Sequence, residues 1–300
     1  MARLILTLLV LAFAVPAAAQ DFQSERITVS ARGAGPDVIL IPGLASTPAV
    51  WDVTVRALQD RHRVHVVGVN GFGDAPPGAN ARGPLTGAVA NEVRRYIAEQ
   101  GLERPAVIGH SMGGQIALKM AADAPGRIGR VMVVDSSPFF PSLINARATT
   151  ADVVPIAEVA RTAVLFLGDQ VLRQQAGAAG RRLGGAADSV VNAMGWQGGD
   201  RRVLAQGIYE VMTTDLRADL GRITAPVTVV YGWSEAADSP RHQVDQGFRQ
   251  GFLRLRNAAR FERIEGAQHM VMIDRPRQFL AAVERFLAQP AASTSSTALP

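Results

Sequence analysis

The 300-residue chain contains no cysteine. That absence excludes disulfides, a cysteine-linked lipid and a thiolate nucleophile. Lysine is nearly missing too. Lys119 stands alone, and the remainder of the 31 basic residues are arginine, set against 26 acidic residues. A net charge of +5 raises the question of nucleic acid. The arginines, however, are scattered, with no run longer than pairs such as Arg94-Arg95, Arg181-Arg182 and Arg201-Arg202. No basic stripe exists to track a phosphate backbone, so nucleic acid is not expected as a partner. The zinc-protease helix motif is absent, and no closely spaced group of histidines or carboxylates suggests a metal. Gly33-Ala34-Gly35 and Gly71-Phe72-Gly73 complete neither a dinucleotide nor a phosphate-loop pattern. Neither a metal nor a cofactor is expected.

The one long apolar run is at the start. Met1-Ala2-Arg3 gives a positive n-region, Leu4 to Val15 an apolar stretch, and Pro16-Ala17-Ala18-Ala19 small residues at both cleavage positions. The run is too short to cross a bilayer. Residues 1–19 read as a cleavable bacterial export signal, which predicts a periplasmic or secreted protein with no stable membrane anchor.

Beyond it, the pattern alternates. Arg26 to Ser30 reads as an edge strand, and Val38 to Ile41 as a strand buried on both faces. Pro48 to Gln59 follows as a helix, Val64 to Val69 as a strand, Leu85 to Gln100 as an amphipathic helix, and Ala106 onward as a strand. Arg130 to Asp135 is the next strand. This rhythm implies a mostly parallel, doubly wound α/β sheet. It breaks over 137–212, where Val153 to Leu167, Gln170 to Leu183 and Ala187 to Met194 are helical and no buried strand occurs. Strands resume at Val227 to Tyr231 and Arg260 to Ile264, and Pro276 to Ala288 closes the pattern as a helix. The expected organisation is a core of 20–136 and 213–290, a helical insertion over 137–212, and a Ser/Thr/Ala/Pro-rich disordered tail over 291–300.

One segment carries the chemistry. Ala106 to His110 ends in Gly109-His110-Ser111-Met112-Gly113, and a helix-competent stretch from Gln115 to Ala124 follows. Strand, Gly-x-Ser-x-Gly and helix together make a nucleophile elbow: the central residue is strained, its flanking positions must be almost free of side chain, and its hydroxyl is presented at the strand end. A serine hydroxyl needs a base, and the base an orienting acid. Of five histidines, His62 and His65 open a strand far upstream, His110 points away from Ser111 across the turn, and His242 opens a polar helix. His269 lies in a loop past the last strand, at the sheet edge where ligands bind. For the acid, Glu235 in the turn Gly232 to Asp238 is the first candidate, Asp135 at its strand end the alternative, and Asp238 the third. An acyl-transfer oxyanion would be met by the backbone N–H groups of Met112 and of Leu44, the latter in the loop Pro42 to Ser46, which Gly43 lets pass close to the elbow.

In that order along the chain, the Leu44 loop, the elbow, the Asp135 strand end, the Gly232 turn and the His269 loop resemble the α/β-hydrolase superfamily over Val38 to Leu287. The resemblance implies an α/β-hydrolase fold, Ser111 as nucleophile, His269 as base, Leu44 and Met112 as oxyanion donors, and the 137–212 insertion as a helical cap. Two departures stand out: Ile41-Pro42-Gly43 replaces the His-Gly of many capped members, and Glu235 occupies a position where many carry aspartate. Phe139, Phe140, Leu143, Met194, Trp196, Met212 and Trp233 are candidate walls of a pocket, with core packing as the alternative role for each. The expected activity is hydrolysis of a carboxylic ester through an acyl-enzyme, on a small-molecule substrate with an apolar acyl part. The alternatives are lactone, amide, thioester or carbon–carbon bond hydrolysis or peracid formation on the same scaffold, or a binding module without turnover.

Overall fold

The computed structural model describes residues 22–168, 196–236 and 239–290. The expected helices Gln170 to Leu183 and Ala187 to Met194, the export signal and the tail lie outside these residues, as do Met194 and Asp238.

Seven strands form one sheet in the order β1-β3-β2-β4-β5-β6-β7: β1 Ile27–Arg32, β2 Asp37–Ile41, β3 Arg63–Val69, β4 Ala106–His110, β5 Arg130–Val134, β6 Val227–Trp233 and β7 Arg260–Glu265. β1 pairs antiparallel with β3 at one edge, and every other pairing is parallel. The helices are α1 Asp52–Leu58, α2 Thr86–Glu99, α3 Met112–Asp123, α4 Thr150–Leu167, α5 Arg201–Thr213, α6 Arg241–Gly251, α7 Val271–Asp274 and α8 Pro276–Leu287. This is the α/β-hydrolase fold. The continuous apolar runs become the central strands because both faces are covered. Ile39, Ile41 and Val107 pack with α2 and α3, while Val38, Leu40, Ile108 and Met132 face Leu58 of α1 and Phe279 and Phe286 of α8. Strand order reverses between β2 and β4. At such a switch point the loops leaving the carboxyl ends diverge and leave a crevice. The loops that follow β2 and β4 are the Leu44 and Ser111 loops.

His65 is buried at the far end of β3. Its Nε2–H donates to Asp37 (2.9 Å) and its Nδ1 accepts from the Tyr96 hydroxyl (2.7 Å). Burial lowers its pKa, so it sits neutral with both ring nitrogens satisfied.

Between β5 and β6 the chain leaves the sheet. α4 begins with a capping box, Thr149 N–H to the Asp152 carboxylate at 2.8 Å, and packs along α5. Sequence patterning had not separated α5 from the rest of the insertion, yet α5 is what joins the insertion to the core. Gly207 brings it against Leu44 and Leu85. Glu210 accepts hydrogen bonds from the N–H groups of Leu85 (2.7 Å) and Thr86 (2.6 Å). Those groups start α2 and lack helical acceptors, and a carboxylate there also meets the positive end of the helix. Replacing Glu210 by alanine removes the cap of another helix. The expected loss is about 1–2 kcal/mol of unfolding free energy by urea titration; a Glu210→Gln variant, which keeps an acceptor oxygen, should recover part of it.

Candidate active site

β4 ends at His110 and α3 starts at Met112, leaving Ser111 alone in the turn at φ 52°, ψ −120°. That conformation is costly for a residue with a β-carbon and persists only where the surroundings enforce it. Ser111 N–H donates to the Val134 carbonyl (2.9 Å), and its own carbonyl accepts from Gly114 N–H (2.8 Å). A β-carbon on Gly109 would overlap the Gly113 carbonyl, and one on Gly113 would lie 2.6 Å from the Pro42 oxygen. Both glycines are therefore required by backbone approach. Gly43 closes the crevice from the β2 side, where a β-carbon would sit 2.8 Å from His110 Nδ1 and 3.1 Å from Ser111 Cβ.

The Leu44 loop is tied at several points. Ser46 N–H donates to the Gly43 carbonyl (3.2 Å), and Ala45 adopts φ 57°. Gln197, at the end of the insertion, donates its N–H to the Ala45 carbonyl (2.7 Å) and accepts the Thr47 N–H on its side-chain oxygen (2.6 Å). The same segment pairs Gly199 with Phe72 and accepts Gly73 N–H on the Gly198 carbonyl. Neither Gln197 nor this strap was singled out from sequence, because nothing local in a Trp-Gln-Gly-Gly stretch points to a loop some 150 positions away. Met112 opens α3, so its N–H has no helical acceptor. Leu44, next to Gly43, and Met112 thus both flank Ser111.

His269 follows β7 and Gly266, whose φ of 73° turns the chain back over the end of β6. Its Nδ1–H donates to Asp135 Oδ2 at 2.7 Å. Asp135 terminates β5 at φ 45°, donates its N–H to the Val230 carbonyl (2.7 Å) and accepts Gly232 N–H on its other oxygen (3.1 Å). The main chain and one carboxylate oxygen of Asp135 are thus held apart from the contact with the imidazole. Glu235, the first candidate for this contact, is exposed in the turn after β6, with no bond to His269. Asp135 lies at the strand end itself, directly across from the His269 loop, and makes the contact instead. With its Nδ1 committed to a carboxylate, a neutral His269 keeps the Nε2 lone pair available. Ser111 Oγ and the His269 ring are not hydrogen-bonded to each other among the described residues; the His110 and His269 rings lie with centroids 4.6 Å apart, tilted by 48°.

The pocket candidates divide. Phe139 is fully buried, with the Arg217 guanidinium 4.6 Å above its ring, so it packs. Phe140 and Met212 are half-buried, and Leu143 and Trp196 are half-buried against the core. Trp233 donates its indole N–H to the Ser239 carbonyl (3.1 Å) and lies under Arg241; both ties hold it to its own turn. His242 is exposed. Among the described residues no group of three or more potential ligands could hold a metal ion, and no helix is long and apolar enough to cross a membrane.

The model of the alpha/beta hydrolase family matches residues 38–283. A pimeloyl-[acyl-carrier protein] methyl ester esterase from Nitrosomonas europaea is 29% identical over 213 residues, covering 69% of this chain and 80% of that protein. The protein of the same name from Aeromonas hydrophila subsp. hydrophila is 27% identical over 274 residues, covering 87% of this chain and 99% of its own length. Among solved structures, the enol-lactonase from Burkholderia xenovorans LB400 superposes with a TM-score of 0.63 at 19% identity, over 88% of this chain and 96% of that one; that likeness is one of fold.

The Asp135–His269 contact has a spectroscopic consequence. A ring proton shared with a carboxylate resonates far downfield, so beside the His65–Asp37 signal the wild-type protein should show a ¹⁵N-coupled imidazole signal assigned to His269. Asp135→Asn should abolish it and Glu235→Gln should leave it in place. The opposite pattern would transfer the contact to Glu235.

Proposed function

The chain belongs to the alpha/beta hydrolase family, and from that premise we propose that it hydrolyses carboxylic esters through an acyl-enzyme on Ser111. The observation that carries this reading is the bond from His269 Nδ1 to Asp135 on the loop beside the strained Ser111. Asp135 holds the imidazole in the tautomer whose Nε2 accepts a proton and stabilises the imidazolium that forms. As Oγ attacks the ester carbonyl, Nε2 takes the hydroxyl proton, and the carbonyl oxygen becomes an oxyanion. The N–H groups of Leu44 and Met112 border that position, and each such donor is worth about 10²–10³ in rate. His269 then protonates the leaving alcohol. A water follows the reverse path, giving its proton to His269 as it attacks the acyl carbon, and releases the acid. The Ser111–His269 bond forms in the substrate complex, since such contacts are often long without a bound reactant.

The curated relatives support the ester bond as the point of attack, because each acts by name on a methyl ester. The Gln197 strap and α5 border the crevice as part of a cap, and the substrate is a small-molecule ester with an apolar acyl part. Export of the chain rests on the residues of 1–19 and their pattern.

Mature protein should hydrolyse p-nitrophenyl acetate, butyrate or octanoate, and the chain-length preference would size the acyl side. Ser111→Ala should abolish turnover. Asp135→Asn should lower kcat by about 10³–10⁴, since the imidazole then loses its tautomer. Retained turnover in Ser111→Ala would overturn the reading.

A further inference from the structure

His110 is the one buried histidine at the crevice that this mechanism does not use. It is fully inaccessible, next to Ser111, and its ring lies against that of His269. Its Nε2 is 2.9 Å from the backbone carbonyl oxygen of His269. A carbonyl only accepts, so the proton is on Nε2 and the tautomer is fixed. Nδ1 is then a bare lone pair, buried without a partner and facing Gly43.

Packing alone is a poor reason for such a residue. An apolar side chain would fill the space without burying an unpartnered ring nitrogen, which costs free energy. The imidazole also meets three functional segments at once. It follows Gly109 in the elbow, its Nδ1 edge touches the start of the Leu44 loop, and its Nε2–H reaches the base loop. That base loop is anchored on either side of His269, by Gly266 N–H to the Trp233 carbonyl (2.7 Å) and by the Met270 carbonyl, which accepts from Ile273 and Asp274 (2.8 Å each). Gln268 N–H is held by the Asp274 carboxylate (2.8 Å), and the His269 side chain by Asp135. The His269 carbonyl is held by His110.

We propose that His110 is a positioning residue whose Nε2–H holds the His269 backbone, and so sets the distance between the base and Ser111. The proposal deepens the acyl-enzyme reading and rests on it. The base is thereby fixed at ring and main chain, and loss of either hold lets the imidazole tilt away from Oγ. A displacement on the order of 1 Å in such a group can cost about 10²-fold in rate. Burial, reinforced by the neighbouring His269, keeps the His110 pKa well below the usual histidine value. His110 therefore stays neutral and adds no charge beside a base that becomes cationic during the reaction.

The test compares His110→Gln with His110→Met. The two side chains have similar length and flexibility, and only the glutamine carries a donor at the Nε2 position. The readout is the rate at which a fluorophosphonate labels Ser111, resolved into binding and chemical steps, with thermal unfolding followed in parallel. The chemical step should slow about 10–100-fold in His110→Met with binding within about threefold, and return to within about fivefold of wild type in His110→Gln. Equal rates in all three proteins would overturn the positioning role while leaving the nucleophile intact. So would equal losses in both variants that follow their loss of thermal stability. Should His110→Met fail to fold, His110→Gln alone decides: a rate within about fivefold supports the role, and a hundredfold loss overturns it. Wild-type Ser111 that takes no label would overturn the acyl-enzyme reading itself.

Discussion

Where β2 and β4 end side by side, three stretches of backbone occupy a space that admits no β-carbon. Gly109 meets the Gly113 carbonyl, Gly113 meets the carbonyls of Ile41 and Pro42, and Gly43 meets the side chains of His110 and Ser111. This close approach forces Ser111 into its turn, sets the first N–H of α3 beside the hydroxyl, and brings the Leu44 loop within reach. Strand order makes it possible, because the sheet reverses between these two strands and leaves their loops free to diverge. A larger residue at any of the three positions would open the crevice or break the turn.

Strain and electrostatics converge on the same place. Four non-glycine residues among those described adopt positive φ, and three of them, Ala45, Ser111 and Asp135, belong to the loops around the crevice. Each costs on the order of 1–3 kcal/mol, which the rest of the fold must offset. The strain is held by bonds from well outside each loop: Gln197 on Ala45, Val134 on Ser111, Val230 and Gly232 on Asp135. The site is rigid because the sheet and the inserted segment hold it from opposite sides. The insertion is tied down in turn by Glu210 on α2 and by the approach of Gly207 to Leu44.

Much of this was legible in the sequence. The buried runs Val38 to Ile41, Ala106 to His110 and Val227 to Tyr231 became central strands, because a parallel sheet covered on both faces leaves no polar alternation to misread. The elbow was legible because its glycines act within five residues. Long-range contacts were not. Glu235 sat in the turn where an acid was expected, whereas the carboxylate that reaches His269 is Asp135, 134 positions away. The choice depends on how far the His269 loop folds back over β6, which Gly232 and Gly266 decide. That His110 points away from the serine could be read from the turn, but not that its ring meets the His269 loop. For Phe139 the sequence allowed either pocket wall or core, and the structure makes it core, since an apolar ring reads the same in either role.

The central claim is a covalent intermediate on Ser111, and an aryl carbamate tests it most directly because the carbamoyl-enzyme hydrolyses slowly enough to isolate. Mass spectrometry of the digested protein should place one carbamoyl group on the peptide carrying Ser111, with release of one equivalent of phenol, and none in Ser111→Ala. Turnover of esters with no adduct, or an adduct on another residue, would contradict the account.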